Sequence, residues 1–196
     1  SLLFIIVPMC LGVFVLSKEI IILYAGKKYL AAIVPLMIAC ITRIFISLES
    51  VMNNLVMYPN NREDRILKVS LICGTSNLII NYLLVTFKIF SPITALATTG
   101  LVELAVFITH YIYARRKMNI NVQVFSKKNM TYIILSLLFI PISLLLRKLN
   151  LGFYITMILI IITCMLLYFI VLYIKKDNNL MFILDKFKNK LKVGKK

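Results

Sequence analysis

Between Leu149 and Ile174 the chain carries no Asp, Glu, Lys, Arg or His, and the same holds from Val69 to Phe87. About 20 mainly apolar residues are what an α-helix needs to cross a bilayer, because in lipid the backbone must satisfy its hydrogen bonds within the segment. Four further runs have the same character. Spans are expected near residues 2–24, 30–58, 69–87, 92–114, 130–147 and 149–174, with Pro141 inside the fifth. The expected fold is therefore all-α, a polytopic transmembrane helical bundle of about six spans. Composition agrees: 61% of residues are hydrophobic and 15% charged, more apolar surface than a soluble domain of this length can hide.

A net charge of +16 would suit a nucleic-acid binder, but its distribution does not. The cations lie between the apolar runs and in the tail, residues 177–196. With six spans, one side holds Arg62, Arg65, Lys68, Arg115, Arg116, Lys117, Lys127, Lys128, Lys175, Lys176 and the six tail lysines, sixteen cations in all. The other holds Lys18, Lys27, Lys28, Lys88, Arg147 and Lys148. Sixteen against six places the first set, and the C-terminus, in the cytoplasm. In the tail, Leu180, Leu184, Phe187 and Leu191 recur at helical spacing among lysines. This pattern fits an amphipathic helix on an anionic leaflet, or a solvated basic tail that only sets orientation. The chain begins on Ser1 within an apolar run, without a basic leader or cleavage site, and is read as starting inside a longer protein.

Charges at bilayer depth are costly and mark function by default. Three occur: Arg43 and Glu49 in the second span and Glu103 in the fourth. Arg43, Ser47, Ser50 and Asn54 share one helical face, and Glu49 with Asn53 an adjacent one. Such polarity fits a helix bordering a water-filled cavity. It fits equally an interhelical ion pair, such as Arg43 with Glu103, that holds the bundle. In the third span Ser70, Gly74, Asn77 and Asn81 form a stripe that lets helices approach and hydrogen-bond, or lines a cavity. Pro92, Thr99, Glu103 and His110 share a face of the fourth span, with His110 read as an interfacial residue near the cytoplasmic end.

No catalytic constellation, phosphate loop or metal cluster appears, so neither an enzyme nor a cofactor or metal site is expected. His110 is the only histidine, and Cys10, Cys40, Cys73 and Cys164 stand singly in apolar stretches, as buried inert thiols do.

Three stretches carry a family likeness. Ile20-Ile-Ile-Leu-Tyr-Ala-Gly-Lys-Lys-Tyr-Leu-Ala-Ala32 looks like a short Tyr-Gly turn between two spans. Asn60-Asn-Arg-Glu-Asp-Arg-Ile-Leu-Lys68 looks like a basic cytoplasmic loop leading to a helix with paired asparagines, here Asn77 and Asn81. Ala95-Leu-Ala-Thr-Thr-Gly-Leu-Val-Glu103 is similar to a Gly-Ala-Ala-x-Ala-Thr-x-x-x-Glu motif, with Ser91 and Thr94 where glycines are usual.

In this order they resemble the C-terminal part of Wzx-type polysaccharide flippases (O-antigen, capsule or teichoic acid), of the multidrug/oligosaccharidyl-lipid/polysaccharide exporter superfamily. The resemblance covers most of residues 1–115. It implies a two-lobed transporter of twelve or more helices in the bacterial inner membrane, of which this chain supplies the last six. Its substrate would be an isoprenoid-diphosphate-linked oligosaccharide, exported by alternating access for surface polysaccharide biosynthesis. In that reading Arg43, Glu49, Asn53, Asn77, Asn81 and Thr99 are substrate-cavity candidates. Glu103 and Glu49 are candidates for coupling to a proton or sodium ion, and membrane lipids are the other partners. The rival within the superfamily is a multidrug cation antiporter, which would prefer an acidic cavity. A membrane polysaccharide polymerase or acyltransferase is more remote, because it would carry a long extracytoplasmic loop or clustered catalytic His and Arg.

Overall fold

A computed structural model describes residues 2–122, 124 and 126–193, with side chains to residue 186. Among the described residues there is no strand. Nine α-helices follow in order: α1 (Leu3–Val15), α2 (Ser17–Tyr24), α3 (Ile33–Met52), α4 (Glu63–Thr86), α5 (Pro92–Lys117), α6 (Lys127–Leu137), α7 (Phe139–Arg147), α8 (Phe153–Ile174) and α9 (Asn178–Val193). A 3-10 turn over Lys27–Ala32 leads into α3, and a π-turn over Asn53–Met57 extends it.

Five helices are long and apolar enough to cross a membrane: Lys27–Asn60, Glu63–Thr86, Pro92–Lys117, Lys127–Arg147 and Phe153–Ile174. The sixth expected span is not a rod. α1 and α2 are each too short to cross and meet at 69°, with Leu16 out of helical geometry between them. The break leaves the Val15 carbonyl without its helical partner, and Arg147 fills the vacancy. Its Nη2 donates to that carbonyl at 2.7 Å and to Glu19 Oε2 at 2.9 Å, while Nη1 lies 2.9 Å from Glu19 Oε1. Residues 127–147 also interrupt, at Leu138, because Pro141 has no N–H to offer the carbonyl four residues back.

Two packing centres result. In one, Leu3, Phe4 and Val7 of α1 meet Tyr132 of α6, Phe139 of α7, and Ile160 and Tyr168 of α8; the Tyr168 hydroxyl donates to the Phe4 carbonyl at 2.7 Å. In the other, α3 and α5 lie side by side, with Met52, Val56, Phe107 and Ala114 buried between them. Gly100 permits that approach, since a Cβ there would stand 2.7 Å from Thr42 Oγ1. The close contact is thus at Gly100 and not at the start of α5. There Ser91 and Thr94, in place of the family's glycines, form a capping box: Ser91 Oγ accepts from the Thr94 N–H and Thr94 Oγ1 from the Ser91 N–H. Helix α4 touches chiefly α5, and only Val69 of its residues is buried.

The tail is helical, and its first apolar residue goes into the bundle. Leu180 is buried against the α1–α6–α8 core, whereas Phe182 is exposed. Asp177 caps α9, its Oδ1 accepting from the Asn179 and Leu180 N–H groups, and its Oδ2 takes the Tyr132 hydroxyl at 2.7 Å and lies 3.4 Å from Lys128 Nζ. Burial alone would raise the Asp177 pKa. The hydrogen bonds from Tyr132, Leu180 and Asn179, with the Lys128 ammonium, outweigh it and hold the carboxyl below its ordinary range. The side chains of Phe187 and Leu191, and residues 194–196, lie outside the described part.

Three contacts sort the connections into two ends. Glu19 pairs with Arg147 at one end; at the other, Arg65 stacks 3.7 Å over the Tyr113 ring and Asp177 meets Lys128.

A polar seam between α3, α4 and α5

Helices α3 and α5 run in contact along their length, so polar residues on their facing sides must find partners or stay bare. Glu49 accepts from Asn53 Nδ2 at 2.9 Å, one turn further along α3. Across the interface Glu103 of α5 faces Glu49 within electrostatic reach, and Cys73 of α4 lies within reach of both. Two carboxyl groups that face each other across a helix interface repel when both are charged, so a proton or a cation between them is favoured.

The Arg43–Glu103 ion pair that one of the two readings allowed does not form. Arg43 is exposed and makes no ion pair among the described residues. The reason is helical phase: six residues place Glu49 about 120° from Arg43 around α3. Glu49 therefore turns into the α5 interface and Arg43 away from it. Ser47 lies back on its own helix, its hydroxyl donating to the Arg43 carbonyl at 2.8 Å.

The α4 stripe divides. Asn81 Nδ2 donates to Asn77 Oδ1 at 2.7 Å, Thr98 of α5 donates to Asn81 Oδ1 at 3.0 Å, and Asn77 Nδ2 reaches Thr99 Oγ1 at 3.5 Å. Asn77, Asn81 and Thr99 thus form one network, to which Thr98 belongs as well. Ser70 and Gly74 stay exposed, and a Cβ on Gly74 would meet nothing within 4 Å. Only the Asn half of the stripe packs.

His110 departs most from expectation. Near the cation-rich end of α5 it is fully buried against α3 and its π-turn, not open to the surface, and neither ring nitrogen has a hydrogen-bond partner. Glu49 and Arg65 are the charged groups in electrostatic reach of the ring. Asn53 Oδ1 and Arg65 Nε are likewise buried without partners. The seam therefore joins Glu103, Glu49, Asn53, His110 and Arg65 along one interface, under-satisfied at its Arg65 end. π-turns recur at functional sites because they widen a helix by one residue, and this one starts at Asn53.

Among the described residues no group of His, Cys, Asp and Glu could hold a metal ion. Sequence reasoning singled out Glu49, Asn53, Glu103, Asn77, Asn81 and Thr99, which the structure gathers in two adjoining networks, and Arg43, which it leaves apart. Thr98 and Arg65 were missed; both stand in or beside quoted motifs, and only helix phase could have drawn them in. Compared with family models, curated proteins and solved structures, the chain matches none.

Proposed function

We propose that this chain is one lobe of a transporter that moves isoprenoid-diphosphate-linked oligosaccharide outward across the bacterial inner membrane, in the manner of Wzx-type flippases. The observation that carries the proposal is Arg43. An unpaired guanidinium on an outward face in the middle of a spanning helix is too costly to leave against lipid, so a second lobe or water covers that face. A diphosphate headgroup is the ligand such a planar, five-donor cation suits. A proton taken up and released at Glu49 or Glu103 would couple transport, and the cation-rich end, with the C-terminus, faces the cytoplasm.

One observation favours the antiporter instead: the paired carboxyls form the acidic group that an organic cation would seek. The discriminating experiment is the sidedness of lipid-linked oligosaccharide in cells deleted for the full-length gene. Accumulation on the cytoplasmic leaflet, reversed by the intact gene, supports the flippase. Normal export with altered drug resistance supports the antiporter, and unpolymerised units outside the membrane support an enzyme.

A further inference from the structure

Where α8 gives way to α9, Lys176 adopts a left-handed conformation, φ 48°, and turns the chain sharply. The Asp177 N–H then bonds back to the Leu172 carbonyl at 3.0 Å, closing the end of α8. This turn sets Lys175 and Lys176 opposite Lys127 and Lys128 in the first turn of α6. Together with Asp177 and Asn178 they line a polar pocket of ≈ 320 Å³.

Charge is unbalanced there. Asp177 is the only acid lining the pocket, and its oxygens are already committed to Tyr132, Lys128 and two backbone N–H groups. Lys127, Lys175 and Lys176 are exposed and have no ion pair among the described residues. Two of the four lysines stand in the first turn of a helix, where the macrodipole disfavours cations. The start of α9 adds a second positive helix end to the same pocket. Three of the four ammonium groups thus face the pocket without a carboxylate partner.

The neighbouring surface is apolar. Met130 and Ile134 of α6, and Ile170 and Ile174 of α8, are exposed on the two spans whose ends form the pocket. A ligand with a multiply charged anionic head and hydrocarbon chains matches both parts. We propose that this pocket binds the headgroup of an anionic phospholipid, favouring the two phosphates of a cardiolipin, with the acyl chains lying along α6 and α8. The inference depends on the chain being in a membrane, and not on what it transports.

The test is native mass spectrometry of the full chain released from phosphatidylcholine nanodiscs doped with cardiolipin. Retention of cardiolipin is expected in the wild type. It should fall at least about tenfold in the Lys127→Gln, Lys175→Gln, Lys176→Gln variant. Arginine at the same three positions should keep it. Lys27→Gln, Lys28→Gln, Lys88→Gln, an equal charge change at the opposite end, should leave it unchanged. Equal loss in both glutamine variants, or no loss in the first, would overturn the site. Displacement of the lipid by an equal concentration of inorganic diphosphate would overturn the phospholipid assignment.

Discussion

Arg147 and Glu19, 128 residues apart in sequence, meet in a two-pronged ion pair that also closes the broken end of α1. The Glu19 side chain is only 7% exposed, so loss of its partner strands a buried carboxylate. Arg147→Ala should cost about 3 kcal/mol, read as a lower unfolding midpoint in detergent. Arg147→Lys should recover part of it, since one ammonium cannot serve both carboxylate oxygens and the Val15 carbonyl at once. An unchanged midpoint for the alanine variant would mean that the bend between α1 and α2 holds without the clasp.

Gly100→Ala should destabilise by about 1–2 kcal/mol, because the new methyl meets the Thr42 hydroxyl at the closest point of α3 and α5. Rotating Thr42 away would also break its bond to the Leu96 carbonyl. Combining Gly100→Ala with Thr42→Ala should cost less than the sum of the two, which a double-mutant cycle on thermal unfolding measures.

The Asp177 latch gives a pH dependence with a definite sign. Its folded pKa lies below the ordinary 3.8, so the latch contributes fully above that value and is lost as pH falls through the lower folded one. Hydrogen exchange at the first amides of α9 should therefore be constant from neutral pH to about 4, once corrected for intrinsic rate, and rise only below. Asp177→Asn should raise it at neutral pH.

His110 separates packing from transport. A buried ring with no partner for either nitrogen stabilises nothing through hydrogen bonds, so His110→Leu should hold or raise the unfolding midpoint. If the seam from Glu103 to Arg65 conducts the coupling proton, the same variant should cut export in the full-length protein several-fold. Export at the wild-type level would assign the ring to packing alone.

Arg43→Ala and Glu103→Gln in the full-length protein, with expression verified, should each reduce export by about tenfold or more, measured as surface polysaccharide per cell. The unfolding midpoint should change little for Arg43→Ala, whose side chain makes no ion pair or hydrogen bond among the described residues. A normal surface polymer would remove the substituted residue from the mechanism.

Hydropathy alone made the spanning helices legible, because each needs only apolar length, and helical spacing correctly grouped Glu49 with Asn53 and Asn77 with Asn81. What stayed hidden depends on how helices rotate against one another. Arg43 and Glu103 looked like natural partners until α3 turned Glu49 toward α5 in its place. The bend at Leu16 has no proline or glycine to announce it, and its stabiliser, Arg147, belongs to a distant helix. His110 sits where a loop-facing residue would be expected, and only the packing of α5 on α3 buries it.

The span of the Arg147–Glu19 clasp has a temporal side. At translation rates of about 5–20 residues per second, Arg147 emerges about 6 to 25 s after Glu19. Throughout that interval the acid on α2 is unpaired while later spans enter the bilayer. Until α7 arrives, the bent pair of α1 and α2 lacks its clasp and keeps this acid near water or in the insertion machinery.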